Sequence, residues 1–170
     1  MKISLLKYPI ENDWVRAKQC ALVTVGKSVI NPPTDDWKKK LIESRHSPLR
    51  TLVFTFYIEG IPSWVSVHLC RHVHTQPYIK SQRNDRQSEY DRNKAPQDSP
   101  VNMIWEMDAE SLLIVMNKRL CNKTAKETKQ VVQEMKRIVS ITNPEFNDAM
   151  IPMCEYHNGK CYEFESCKKS

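Results

Sequence analysis

The stretch HSPLRTLVFTFYIEGIPSWVSVHLCRH, residues 46–72, decides the fold class. Its middle part, Arg50–Glu59, is dense in β-branched and aromatic side chains, the composition of a buried strand, and Gly60 marks its expected end. Pro62 suits the first turn of a helix, expected to run through Trp64, Val65, Val67, His68, Leu69 and His72. Upstream, Met1–Tyr8 reads as a short strand with Ile3 and Leu5 on one face. Asp13 is placed to cap a helix carrying Val15, Ala17, Cys20 and Ala21. After the Asn31-Pro32-Pro33 loop, Thr34, Asp35 and Asp36 start a second helix through Ile42 and Glu43, with the acids at the positive end of its dipole.

Downstream, Thr75–Ser99 reads as one long polar loop. Asp108–Arg119 predicts an amphipathic helix on the spacing of Leu112, Val115, Met116 and Leu120. A further helix is expected over Ala125–Ile141, carrying Val131, Val132, Met135, Ile138 and Val139, and Asn143-Pro144 ends it. Strands and helices do not alternate as βαβ units, so the expected class is α+β, an antiparallel or mixed sheet packed by helices. Residues 1–150 are read as one domain and 151–170 as a cysteine-containing tail.

The chain has 170 residues, 40% hydrophobic and 27% charged, enough for one domain with a sizeable core. No apolar run approaches the ~20 residues of a membrane span. The start, MKISLLKYPIENDW, lacks the apolar stretch and cleavage site of a signal peptide, so the expected location is cytoplasmic. There, six cysteines are expected as thiols or ligands rather than disulfides. A net charge of +6 suits an anionic ligand, and equally a solubilising surface.

The chemistry concentrates in RHVHTQPYIKSQRNDRQSEYDR, residues 71–92. Arg71, Arg83, Arg86 and Arg92 lie there, and Arg119 on a later helix; a guanidinium fork matches phosphate and carboxylate. Asp85, Glu89 and Asp91 offer a plain alternative as ion-pair partners. Ser81 and Gln82 add donors and acceptors beside Arg83. Cys121, Cys154, Cys161 and Cys167 are candidate ligands for zinc or an iron–sulfur cluster, although their spacing fits neither a zinc-knuckle pair nor a ferredoxin run. Cys20 and Cys70 are read as core residues. His68 and His72 stand four apart, but no nearby acid completes a zinc motif.

Taken in order, these segments resemble the flavin-dependent thymidylate synthase family. The resemblance lies in the H-S-P turn at His46–Pro48, the F-T-F strand at Phe54–Phe56, and a signature of the form R-H-R-x-x-S-x-N-E-x-S-x-R-Y laid over residues 71–84. Arg71, His72, Ser81 and Arg83 match that signature. Ala109, Ser111, Leu112 and Arg119 match the family's N-A-R-S-L-x-x-F-L-x-x-R helix, and Arg92 precedes Pro96 at the spacing of its L-P element. The departures are Val73 for the second arginine, Gln76 for the first serine, Tyr78-Ile79 for Asn-Glu, Asn84 for the closing tyrosine and Asp108 for asparagine.

The resemblance implies an α+β homotetramer with active sites shared between subunits. It implies FAD as cofactor, NADPH and a methylene-folate as cosubstrates, and one-carbon transfer to uracil C5 of dUMP or a related pyrimidine nucleotide. His46, Arg71 and His72 would then lie near the flavin. Ser81, Gln82, Arg83, Arg92 and Arg119 would hold the nucleotide, with Arg83 and Arg119 acting on the reacting base. The retained Arg71, His72, Ser81 and Arg83 favour a nucleotide over a nucleic acid. Two other readings stay open: a nucleotide-modifying enzyme with a cysteine-ligated metal centre, and a non-catalytic nucleotide-binding module.

Overall fold

A computed structural model describes residues 1–83, 85 and 91–167. Four strands form one antiparallel sheet in the order β1-β2-β4-β3: β1 Lys2–Lys7, β2 Val53–Pro62, β3 Thr75–Ile79 and β4 Pro100–Asp108. The helices are α1 Glu11–Val23, α2 Asp35–Glu43, α3 Ser63–Cys70, α4 Ala109–Arg119, α5 Lys126–Thr142 and the single turn α6 Met153–Tyr156. Phe54, Phe56 and Ile58 of β2, with Met103, Trp105 and Met107 of β4, are buried with Leu112, Val115 and Met116 of α4 and Val132, Met135 and Val139 of α5 in one core. Trp14 of α1 and Phe54 meet across Phe146, with ring centroids 5.7 and 5.5 Å from it. Removing a buried aromatic of this kind costs roughly 3–5 kcal/mol. The class is α+β, as expected from residues 46–72.

Several local expectations change. Asp13 is not the cap of α1. Ile10 takes that position, and the Asp13 carboxylate reaches back three residues to accept from its backbone N–H at 3.1 Å. Gly60 does not end β2. It takes φ +65°, and the register shifts between Ile58 and Ile61, so the strand bends through the glycine and pairs on to Pro62. A 3₁₀ turn, Ser47–Thr51, occupies what was read as the strand's start.

The expected loop over residues 75–99 contains β3, which pairs with β4 from Thr75↔Met107 to Ile79↔Met103. Its one-sided pairing at the sheet edge explains why Pro77 and the exposed Tyr78 are tolerated there. β4 itself alternates buried Val101, Met103, Trp105 and Met107 with more exposed neighbours, the period of a strand. Thr34 and Asp108 cap α2 and α4 as their positions suggest, accepting from the Trp37 and Ser111 backbone N–H groups at 3.3 and 2.8 Å.

Beyond Met150 the chain is held to the body by Asn117, which donates to the Ile151 carbonyl at 2.5 Å and accepts from Arg45 Nη2 at 3.0 Å. The Arg45 guanidinium lies 4.9 Å over the Tyr156 ring. Among the described residues, no helix is long and apolar enough to cross a membrane.

Candidate active site

The site is built where two helices stop. α3 ends at Cys70, so His72 lies beyond the helix and its backbone N–H bonds to the Leu69 carbonyl at 3.2 Å. The expected helical pairing of His68 with His72 is therefore absent, and the His68 carbonyl lacks its helical partner. Arg119, the last residue of α4, supplies one: its Nη2 donates to the His68 carbonyl at 2.8 Å and its Nε donates to His72 Nε2 at 2.8 Å. The guanidinium thus sits at the negative end of the α3 dipole.

The turn that carries His72 is pinned from both sides. Thr75 Oγ1 donates to the His72 carbonyl at 2.9 Å, and Ser111 Oγ of α4 donates to the His74 carbonyl at 3.3 Å. His74 takes φ +63°, which turns the chain into β3. The His72 ring centroid is 6.2 Å from that of buried Trp105, and His68 Nδ1 lies 3.2 Å from Thr128 Oγ1 of α5.

Electrostatics follow from this packing. Burial, then the charges of Arg119 and Lys118, push the His72 pKa down from 6.5 to about 4. His72 is therefore neutral near pH 7, with Nε2 free of a proton to accept from Arg119 and the ring proton on Nδ1. Burial and then Arg71 lower the Arg119 pKa below the usual guanidinium value, but an arginine remains a cation. Two of its five N–H donors are engaged by His72 and His68, which leaves three for a ligand.

A cleft of about 670 Å³ opens over this pair, with Arg71, Lys118, Lys123, Val73 and Ile114 among its walls. Among the described residues, neither Arg71 nor Lys118 has an ion-pair partner, so the cleft is strongly cationic. A second cavity of about 400 Å³ shares His68 with it and takes Trp64, Gln82, Arg92 and Pro96 in its lining.

The residues singled out from sequence are therefore only partly gathered. Arg71, His72 and Arg119 share one cleft, and Gln82 and Arg92 line the cavity that shares His68 with it. Ser81 accepts from the Arg83 backbone N–H at 3.3 Å, and the exposed Arg83 side chain donates to both carboxylate oxygens of Asp85, at 2.9 and 2.5 Å. His46 lines a different cavity, about 820 Å³, between α1 and α2 with Trp37, Leu41 and Pro48. Asn84, Arg86 and Glu89 lie outside the described residues.

The four-cysteine site is not assembled: among the described residues, no three His, Cys, Asp or Glu side chains form a group that could hold a metal ion. Cys121 faces the arginine cleft, Cys154 sits on α6, and Cys167 lines another surface cavity with Lys123 and Phe164. Cys20 and Cys70 are half-buried rather than core. Lys118, Lys123 and Thr128 were not legible as site residues, because each is an ordinary polar position on its own segment; the adjacent basic pair Lys118-Arg119 was the one available signal.

The family model described as thymidylate synthase complementing protein matches residues 86–145, a segment that contains Arg92 and Arg119. A comparison with curated proteins gives no significant match. Among solved structures, the fold is similar to Thymidylate Synthase X from Helicobacter pylori with FAD and dUMP. The TM-score is 0.67 and the identity 17%, over 88% of this chain and 99% of that one. A second structure of the Helicobacter pylori flavin-dependent enzyme, also complexed with FAD and dUMP, gives 0.66 at 17% identity, over 88% and 98% of the two chains. The UMP/dUMP methylase PolB from Streptomyces cacaoi, bound with 5-Br dUMP, gives 0.68 at 14% identity, over 87% and 93%. The matched segment, which contains the end of α4 at Arg119, and the shared fold are what this chain has in common with the flavin-dependent thymidylate synthases.

Proposed function

We propose that this chain is a nucleotide-modifying enzyme that binds dUMP or a related pyrimidine nucleotide in the Arg119 cleft and methylates uracil C5 with FAD. One observation carries this reading: Arg119 is held at the cleft by two acceptors that carry no formal charge, beside Arg71 and Lys118. Such a site suits a phosphate, and a guanidinium beside a pyrimidine carbonyl stabilises negative charge developing on the ring. The dUMP and FAD of the similar solved structures support the ligand class. Gln82 and Arg92, in the adjoining cavity, are the next contacts for the nucleotide. Arg83 and Ser81 join them in this reading, with Asp85 exchanged for the ligand at Arg83.

The residues present fit an FAD in charge and in surface. Arg71 supplies a cation for its phosphates, and Val73 and Ile114, both well exposed in the cleft, supply an apolar wall for its ring. When bound, FAD supplies reducing equivalents drawn from NADPH, while a methylene-folate supplies the one-carbon unit. The chain's own contribution is to hold the phosphate, orient the uracil ring and keep Arg119 charged against it. His46 joins the flavin site in this reading only through assembly: it lines a cavity separate from that of Arg119 within one chain, and a homotetramer with shared sites is the arrangement that would unite them. Residues 151–167 act as a strap on the body formed by residues 1–150, anchored by the Asn117 bond to the Ile151 carbonyl and by Arg45 stacked over Tyr156.

The test is an absorption spectrum of the purified chain, followed by dUMP binding and FAD-dependent NADPH oxidation. Flavin bands, dUMP affinity and product methylated at C5 are the expected results; no flavin and no turnover sinks the methylation. The second reading, a nucleotide-binding module without chemistry, is favoured by Val73 standing exposed in the cleft where the family signature has arginine. It predicts dUMP affinity with no NADPH oxidation.

A further inference from the structure

We infer that His72 is a positioning residue, whose neutral ring aims the Arg119 guanidinium into the cleft while leaving its positive charge uncancelled for an anionic ligand. The inference deepens the reading of the cleft as a nucleotide site and rests on it for the identity of the ligand. The resemblance implies a place for His72 near the flavin; within the chain, its Nε2 accepts from Arg119, 47 positions away.

The chemistry lies in the kind of acceptor. Buried or half-buried arginines are commonly held by carboxylates, which orient them and also neutralise them. Here both acceptors on Arg119 are uncharged: an imidazole nitrogen and the His68 carbonyl. The guanidinium is fixed at two points, so little side-chain freedom remains to be lost when a ligand binds. Its charge is intact, and Arg71 and Lys118 reinforce it in the same cleft.

Charged and titratable groups around this pair come from several segments. Arg71 and His74 flank His72 on its own turn, and His68 comes from α3. Lys118 comes from α4, and Cys121 and Lys123 from the segment after it. Among the described residues, the one carboxylate lining the cleft is Glu163, from the far end of the chain. No acid is bonded to Arg119 among the described residues.

The placement of His72 is built rather than incidental. Its backbone N–H is tied to Leu69 and its carbonyl to Thr75 Oγ1, and Trp105 flanks its ring. A side chain that only filled space would not need its Nε2 at hydrogen-bond distance from the one arginine at the end of α4.

Three variants of the full chain separate orientation from charge. His72→Gln presents an uncharged oxygen near the position of Nε2, His72→Glu presents a charged one, and His72→Ala presents none. The probe is inorganic pyrophosphate, titrated by calorimetry at pH 7.5 and low salt. Wild type is expected to bind it, His72→Gln to stay within about threefold, and His72→Glu to lose tenfold or more although Arg119 is still held. His72→Ala should fall between them. His72→Glu binding as well as wild type overturns the inference, as does His72→Gln binding as poorly as His72→Glu, or a wild type with no affinity for pyrophosphate.

A measurement on wild type alone guards against variants that fail to fold. Nitrogen-15 spectra of the histidine side chains should show His72 neutral at pH 7 with its proton on Nδ1; a proton on Nε2 overturns the inference. Titration with dUMP is run in parallel. Pyrophosphate binding without dUMP binding leaves the role of His72 standing and removes only the nucleotide reading.

Discussion

Arg119 and Arg83 are both arginines of the recognised motifs, yet the protein treats them in opposite ways. Arg119 is half-buried at the junction of α3 and α4 and rests on a neutral imidazole and a carbonyl. Arg83 stands at the surface and is chelated by Asp85, two residues on. The first has no carboxylate bonded to it among the described residues. The second already has a counter-ion, held in a local pair of the kind that contributes little to stability in water. Motif membership alone therefore does not make an arginine a ligand-binding group; its acceptors do.

The contrast is broken most directly by Arg119→Ala, which should weaken dUMP binding by about 2 kcal/mol, or ~30-fold, by calorimetry. Arg83→Ala should cost about threefold in the same assay. Equal losses for the two would remove the distinction between them.

A second expectation concerns acid. The His72 pKa is depressed in the folded chain, from 6.5 to about 4, while the unfolded chain retains the ordinary value. Between those two pH values the unfolded state binds a proton that the folded state does not. Stability contributed by the neutral ring is therefore full above about pH 6.5 and is lost as pH falls toward 4. Discounted for the partial exposure of the ring, this amounts to about 1 kcal/mol, or ~3 °C in Tm. Thermal melts of wild type and His72→Gln should converge on lowering the pH through that window. Parallel curves would show that His72 does not titrate as described.

The smallest effect is expected at the other arginine. Asp85→Asn should tighten dUMP binding about twofold by releasing Arg83, with no change in Tm beyond ~1 °C. A tenfold change would mean that Arg83, and not Arg119, dominates the anion site.

Much of the architecture was legible because its causes are local. Thr34 and Asp108 cap helices by bonds to backbone N–H groups three residues on, and the apolar spacing in α4 and α5 needs no partner to be recognised. β4 is marked in the sequence by its alternating Val101, Met103, Trp105 and Met107, but a polar segment before it and a strong helix after it blur its bounds. β3 was not legible: five residues with a proline and exposed Tyr78 become a strand only because β4 offers an edge to pair with. The departure of Asp13 from its expected role has the same origin at shorter range, since Ile10 reaches the cap position and Asp13 answers from within the helix.

The sequence by itself determined the α+β class, the principal helices and the concentration of basic side chains around residues 71–92 and 119, since these follow from side-chain chemistry and periodicity within a few residues. Only the tertiary structure decided which basic groups are held and which are compensated. It carried Arg119 to His72 across 47 positions, gave Arg83 to Asp85, set His46 in a cavity of its own and left the cysteines of the proposed cluster apart. The reason is physical: a cation's use is set by its acceptors, and the acceptors of Arg119 were fixed by where α3 happens to stop.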